Sequence, residues 1–183
     1  MKFFFTKLLL IIFPFLISGQ SIFEKFQNNK NVTSINITPR MFQMLSKMAI
    51  SSDDPESMSL TETINGIKSF KALITGSSDI ITQMTKWVEI TSKKEDLDNI
   101  FAINEGNIEM NIYAKYGGDD SGLKTILIFS KAFYDYQNNP KKNNKKIEVF
   151  LLSVEGNISI QNISKLIGKM NLPGGDQLKK AGI

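Results

Sequence analysis

The strongest hydrophobic pattern in the chain runs from Lys145 to Met170. Apolar residues fill consecutive positions from Val149 to Leu152, so a strand here would be apolar on both faces. A strand of this kind is typical of the centre of a buried sheet. Gly156 and Asn157 then predict a break. Apolar residues at three- and four-residue steps predict a following helix: Ile160, Ile163, Leu166, Ile167 and Met170. We expect this strand–turn–helix unit to organise the domain.

The remaining segments add five predicted strands and two main helices. Alternating apolar residues predict strands over residues 32–37, 67–75, 97–104, 107–116 and 123–130. Thr38-Pro39 and Gly76-Ser77-Ser78 have the composition of helix starts. The order β-α-β-α-β-β-β-β-α predicts a single α+β domain. We expect a largely antiparallel sheet of about five or six strands, covered by about three helices.

Methionine is concentrated in the first of these helices. Its predicted apolar stripe consists of Met41, Phe42, Leu45, Met48 and Ala49, with Met44 beside it. The stripe predicts side chains that fill the core, because phenylalanine and leucine share it. An adaptable binding surface or a soft-metal site is the alternative. Trp87 lies on the apolar face of the second helix, where we expect it to anchor the core.

The first nineteen residues have the pattern of a secretory signal peptide. Lys2 and Lys7 form a basic segment, residues 8–17 are apolar, and Ser18 and Gly19 are small. We expect cleavage after Gly19, which leaves residues 20–183 as one exported domain, periplasmic or secreted, with a polar tail from about 173. An uncleaved membrane anchor is the alternative. The apolar run is too short for a span, however, so we expect no stable membrane span after cleavage.

Composition excludes several kinds of chemistry. The chain contains no histidine and no cysteine, which rules out disulfides, Ser-His-Asp triads, cysteine nucleophiles, and zinc sites built on either residue. Loss of residues 1–19 removes two lysines and no acidic residue, so 20 basic and 18 acidic residues remain. Because this excess is small, we expect no nucleic-acid partner. No cofactor motif is present, and we expect no cofactor.

The acidic residues suggest two weaker hypotheses. Asp53, Asp54 and Glu56 lie in the longest polar segment, but their spacing matches no calcium loop, so a solvated acidic loop is the simpler interpretation. A glycoside hydrolase needs two carboxyl groups at a defined separation in a cleft. The available residues are Glu105, Glu109, Asp119, Asp120 and Glu155. Spacing alone does not bring any two of them together.

The connection from Ala132 to Lys146 is the candidate contact surface. It places aromatic residues before lysines: Phe133, Tyr134, Tyr136, Lys141, Lys142, Lys145 and Lys146. Such a combination suits an anionic surface, such as an acidic glycan or a lipid headgroup, or an envelope protein. A solvated loop whose aromatic residues fold onto the domain is the alternative.

Three segments resemble a known family. NVTSINITPRMFQML, IKSFKALI and IEVFLLSVEGNISIQNISKLIGKM are similar to an exported family, found mainly in Bacteroidota, that is classified as a domain of unknown function (DUF4252-like). The resemblance extends over roughly residues 21–172. It implies an envelope or secreted location and no established activity. Members often carry lipoprotein signals, from which this chain departs, because no cysteine follows its apolar segment.

These observations lead to three functional hypotheses. The first is a non-enzymatic envelope or secreted protein that binds a partner or a ligand, because the core is well patterned and no reactive constellation is present. The second is a carrier of an apolar ligand held between the helices and the sheet. The third, and the weakest, is a hydrolase that uses paired carboxylates.

The signal-peptide assignment makes a direct prediction. When the full chain is expressed in a secreting bacterial host, the purified protein should begin at Gln20, because the small residues before it suit signal peptidase. Intact-mass measurement and N-terminal sequencing test this. A protein that retains Met1 and stays with the membrane fraction would show that the segment is an anchor.

Overall fold

A single six-stranded antiparallel sheet forms the centre of the protein in the computed structural model, which describes residues 21–49, 64, 66–118, 122–134 and 146–169. Its strands are β1 (Val32–Ile37), β2 (Ile67–Thr75), β3 (Asp98–Glu105), β4 (Ile108–Tyr116), β5 (Leu123–Tyr134) and β6 (Lys146–Ile158). Their order across the sheet is β1-β2-β6-β5-β4-β3. The last strand in the sequence therefore lies between the second and the fifth.

Helices cover both faces of this sheet. They are α1 (Ile22–Phe26), α2 (Pro39–Ala49), α3 (Ser78–Lys94) and α4 (Ile160–Lys169). On one face α2 and α4 pack against the larger core through Phe42, Ile163 and Ile167. On the other face α1 and α3 pack against the smaller core through Phe23 and Met84. The predicted α+β class and the antiparallel sheet are confirmed.

The strand β6 contributes to both cores, as the two-sided apolar pattern predicts. Phe150, Leu152 and Val154 belong to the larger core, whereas Val149 and Leu151 belong to the smaller one. All five side chains are almost completely buried. Since β6 pairs with β2 on one side and with β5 on the other, it has no free edge over this segment.

The helix starts follow from local chemistry. In α2 the backbone N–H of Met41 donates to Thr38 Oγ1 at 3.3 Å, and Pro39 occupies the first helical position. The helix α1 begins in the same way, because the N–H of Phe23 donates to Ser21 Oγ. None of the helices in the described part of the chain combines the length and apolarity that crossing a membrane requires.

Two predictions from the hydrophobic pattern were wrong. Gly156 and Asn157 do not end the strand: β6 continues to Ile158 and pairs there with Leu123. Met41 does not lie in a buried stripe, since it is 48% exposed, and Met44 beside it is 61% exposed. In α2 the described side chain that reaches the core is Phe42, which α2 turns toward the sheet.

Gly156 keeps β6 and the start of β2 close together. Its φ is +152°, a conformation that residues with a side chain rarely adopt. A Cβ atom at this position would collide with the backbone carbonyl oxygen of Gly66. The absence of a side chain therefore lets the strand continue where the sequence pattern suggests a turn.

We predict that Gly156→Ala lowers the free energy of unfolding by about 2–4 kcal/mol, through backbone strain and the collision with Gly66. Urea denaturation measures this change. Gly118→Ala is the matched control, because an added methyl group there has open space and should have little effect. Equal stability of the two variants would show that β6 does not require the close approach of Gly156 to the backbone of Gly66.

Candidate functional site

A cleft opens on the face of the sheet that carries the smaller core, beside the C-terminal half of α3. Its volume is about 280 Å³. Eight of its twelve lining residues are polar or charged: Ser21, Lys71, Thr91, Lys94, Glu95, Thr125, Ser153 and Glu155. The apolar lining residues are Phe23, Trp87, Leu97 and Leu127. It is an open, mixed-polarity site rather than an enclosed apolar one.

Strand register explains how the floor of the cleft is assembled. Lys71 on β2 lies directly opposite Ser153 on β6, and Ser153 lies opposite Leu127 on β5. One step further along the same face, Glu155 on β6 lies opposite Thr125 on β5. Directly opposite residues share a face of the sheet and bring their side chains within about 5.5 Å. Three neighbouring strands thus supply a lysine, two hydroxyl groups and a carboxylate.

Aromatic packing forms one wall. The rings of Phe23 on α1 and Trp87 on α3 meet edge to face, with centroids 5.8 Å apart. Phe23 is buried, whereas Trp87 is half-buried at the margin of the smaller core and lines the cleft. Trp87 therefore packs against the core, as predicted, and it also lines the cleft, which the sequence did not indicate.

Lys71 is the charged group most enclosed by the cleft. It is half-buried, while Lys94, Glu95 and Glu155 are exposed. Within the described part of the chain, the one ion pair joins Lys131 Nζ to Glu109 Oε2 at 3.4 Å. No described acidic side chain therefore pairs with the Lys71 ammonium group. A half-buried lysine that has no described acidic partner can bind an incoming anion.

A second, smaller cavity of about 170 Å³ lies between α1 and β1. It shares Phe23 and Lys71 with the cleft, so the two spaces adjoin at these residues. Its other lining residues are Glu24, Gln27, Ser34, Ile35 and Asn36. It extends the polar surface from the middle of the sheet to the outer strand β1.

Beyond the cleft, the same face of the sheet carries polar side chains on β3 and β4. Asn99 donates to Asn111 at 3.3 Å, and Lys115 Nζ donates to the carbonyl oxygen of Glu95 at 2.7 Å. Tyr113 is half-buried here, and burial raises the pKa of its phenol above the usual value of 10.0, with smaller contributions from the negative charges of Glu89 and Glu109. Tyr113 is therefore a neutral group at physiological pH.

The structure places the backbones of three residues of the predicted contact surface away from the cleft. Phe133 and Tyr134 lie in β5 and Lys146 lies in β6, where the backbones of Tyr134 and Lys146 pair. The strand β5 thus extends four residues beyond the predicted end at Ser130. This pairing is at the end of the sheet opposite to the cleft, as the register shows. The other predicted residues lie outside the described part: Tyr136, Lys141, Lys142 and Lys145.

The acidic candidates that the structure describes do not share one site. Of the five carboxylates considered for hydrolysis, Glu155 lines the cleft, Glu109 pairs with Lys131, and Glu105 ends β3. Asp119 and Asp120 lie outside the described residues, as do the acidic residues of the calcium hypothesis, Asp53, Asp54 and Glu56. No group of three or more potential metal-binding side chains occurs in the described ranges.

Sequence reasoning missed Lys71, Ser153 and Thr125 as neighbours. A weak signal was present, because Lys71 lies between the apolar residues Phe70 and Ala72 of β2, and Ser153 follows the apolar run of β6. Their proximity depends on the position of β6 between β2 and β5, which the sequence pattern does not specify.

Comparison with known proteins identifies the family. The family model of DUF4252, a domain of unknown function, matches residues 25–166, which is more than half of the chain. Searches of curated proteins and of solved structures found no match. The match covers all six strands, α2 and α3 in full, α1 and α4 in part, and most of the residues that line the cleft. The chain belongs to the DUF4252 family.

Proposed function

We propose that this protein is an exported, non-enzymatic binding domain and that its ligand occupies the cleft between α1, α3 and the sheet. The observation that supports this most directly is the position of Lys71. It is a half-buried cation at the floor of the cleft, without a described acidic partner.

The chemistry of the floor favours an anionic group on the ligand. Removing water from an ammonium group is unfavourable unless a counter-charge or hydrogen-bond acceptor replaces it. Ser153 lies directly across from Lys71, and its hydroxyl can donate to the same anion. Lys94 adds positive charge at the rim, whereas Glu95 and Glu155 favour a hydroxyl or amine elsewhere on the ligand.

The aromatic wall favours a ligand that also has an apolar face. Trp87 offers an indole surface beside Phe23, and such surfaces pack against sugar rings and other flat groups. The volume is near the lower end of the range for small-molecule sites. We infer that the ligand is small, carries a carboxylate or phosphate, and has a ring-sized apolar face; an acidic monosaccharide has these properties.

The two other hypotheses receive less support from this geometry. A carrier of apolar molecules needs an enclosed apolar space, whereas both cavities described above are open and most of their lining residues are polar or charged. A hydrolase would need two carboxylates at a defined separation, one of them in a partly buried setting. Glu95 and Glu155 both line the cleft, but both are exposed.

The proposal also includes export of the protein and contact with a partner in the cell envelope. The N-terminal pattern supports export, and the aromatic and basic segment from Phe133 to Lys146 supports contact with an envelope protein or an anionic surface. Non-enzymatic function is supported by a sequence that lacks histidine and cysteine.

The single tryptophan makes the cleft directly observable. We predict that glucuronate and a hexose phosphate change Trp87 fluorescence in a saturable way, whereas uncharged glucose does so much more weakly. Lys71→Met should weaken binding of the charged probes about tenfold or more, because it removes the charge-assisted hydrogen bond. Fluorescence titration at low ionic strength measures both effects.

Two further variants separate the cleft from other basic surfaces. Lys68→Met is the matched control, because Lys68 is exposed on the same strand and lines neither cavity. A triple Lys141→Gln, Lys142→Gln, Lys145→Gln variant removes three of the four lysines of the basic segment. Both should bind like the wild type. Loss of binding only in the triple variant, or no fluorescence response to either charged probe, would contradict the proposed site.

A further inference from the structure

The two outer strands of the sheet differ in how they are protected. Neither β1 nor β3 has a strand partner on its outer edge among the described residues. The strand β3 carries Asp98 and Glu105 at its ends, and its register shifts between Asn99 and Phe101. Charges and bulges are the usual features that prevent another strand from pairing with an exposed edge.

The strand β1 has none of these features. Its sequence, VTSINI, contains no charged residue and no proline. It pairs with β2 without a register shift, from Val32 opposite Thr75 to Ile37 opposite Phe70. Four of its six residues are β-branched, which favours extended pairing. Its outer edge is therefore regular and suited to accept another strand.

The smaller cavity lies beside β1. It is lined by three consecutive residues of this strand: Ser34, Ile35 and Asn36. Ser34 and Asn36 are alternate residues, so their side chains point to the same face of the sheet. A strand added next to β1 would place its own side chains on this face, beside the cavity.

We propose that β1 is a docking edge for an extended peptide segment of a partner protein, which adds to the sheet as a seventh strand and places one side chain in the smaller cavity. Backbone hydrogen bonds would supply affinity and the cavity would supply specificity. This inference goes beyond the proposed ligand site, with which the docking edge shares Lys71.

The lining of the cavity indicates which side chain it takes. Lys71 can donate to an acceptor, while Glu24 can accept from a donor. A long side chain with both functions, such as the amide of glutamine, satisfies both groups. A second copy of this chain fits less well, because the side chains of its own β1 on that face, Ser34 and Asn36, are short for a space of about 170 Å³.

Hydrogen exchange and synthetic peptides test the proposal. The probes are seven-residue peptides of alternating threonine and valine whose central residue is glutamine, serine or leucine. We expect the glutamine peptide to bind most tightly, by about fivefold or more over serine. It should also slow the exchange of β1 amides that exchange rapidly in the free protein. N-methylation of its alternate backbone amides should abolish binding, because strand addition requires those groups.

Asn36→Lys should weaken peptide binding at least tenfold by filling the cavity. Ala102→Lys on the opposite outer strand is the matched control and should bind the peptide normally, since Ala102 is also exposed. Four results would overturn the proposal: slow exchange of all β1 amides in the free protein, no binding by any peptide, equal binding of the N-methylated peptide, or self-association of the chain that Asn36→Lys removes.

Discussion

The burial of apolar side chains on both faces of β6 is the constraint on which the rest of the structure depends. Val149 and Leu151 need cover on one face, and Phe150, Leu152 and Val154 need it on the other. Each large apolar side chain contributes about 1.5–3 kcal/mol when it is fully buried. A protein without disulfides relies on such burial, and helices on both faces together with strands on both sides of β6 provide it.

Much of this arrangement follows from local sequence. The consecutive apolar residues of β6 indicate a central strand, and the Thr38-Pro39 pair places the start of α2. The alternation in β4 assigns Met110 and Ile112 to a buried face, where the structure has them. These features depend on neighbours a few residues away, so their physical cause lies within the segment.

Other features depend on residues distant in the sequence. Gly156 permits the strand to continue because the carbonyl of Gly66 lies against it, a contact that no local pattern contains. Met41 is exposed because the packing of α2 turns Phe42 toward the core instead. The cleft itself exists because β6 returns between β2 and β5, which brings Ser153 beside Lys71. Local sequence patterns do not specify strand order, and for this reason they did not predict the cleft.

Strand β6 therefore links stability to the proposed function. Its apolar residues pack in both cores, and Ser153 and Glu155 near its end contribute to the floor of the cleft. The most direct test of this account is native-state hydrogen exchange of the β6 amides from Val149 to Val154. The account predicts that they exchange only through global unfolding, with a free energy equal to that from urea denaturation. Exchange of these amides through a smaller, local opening would contradict it.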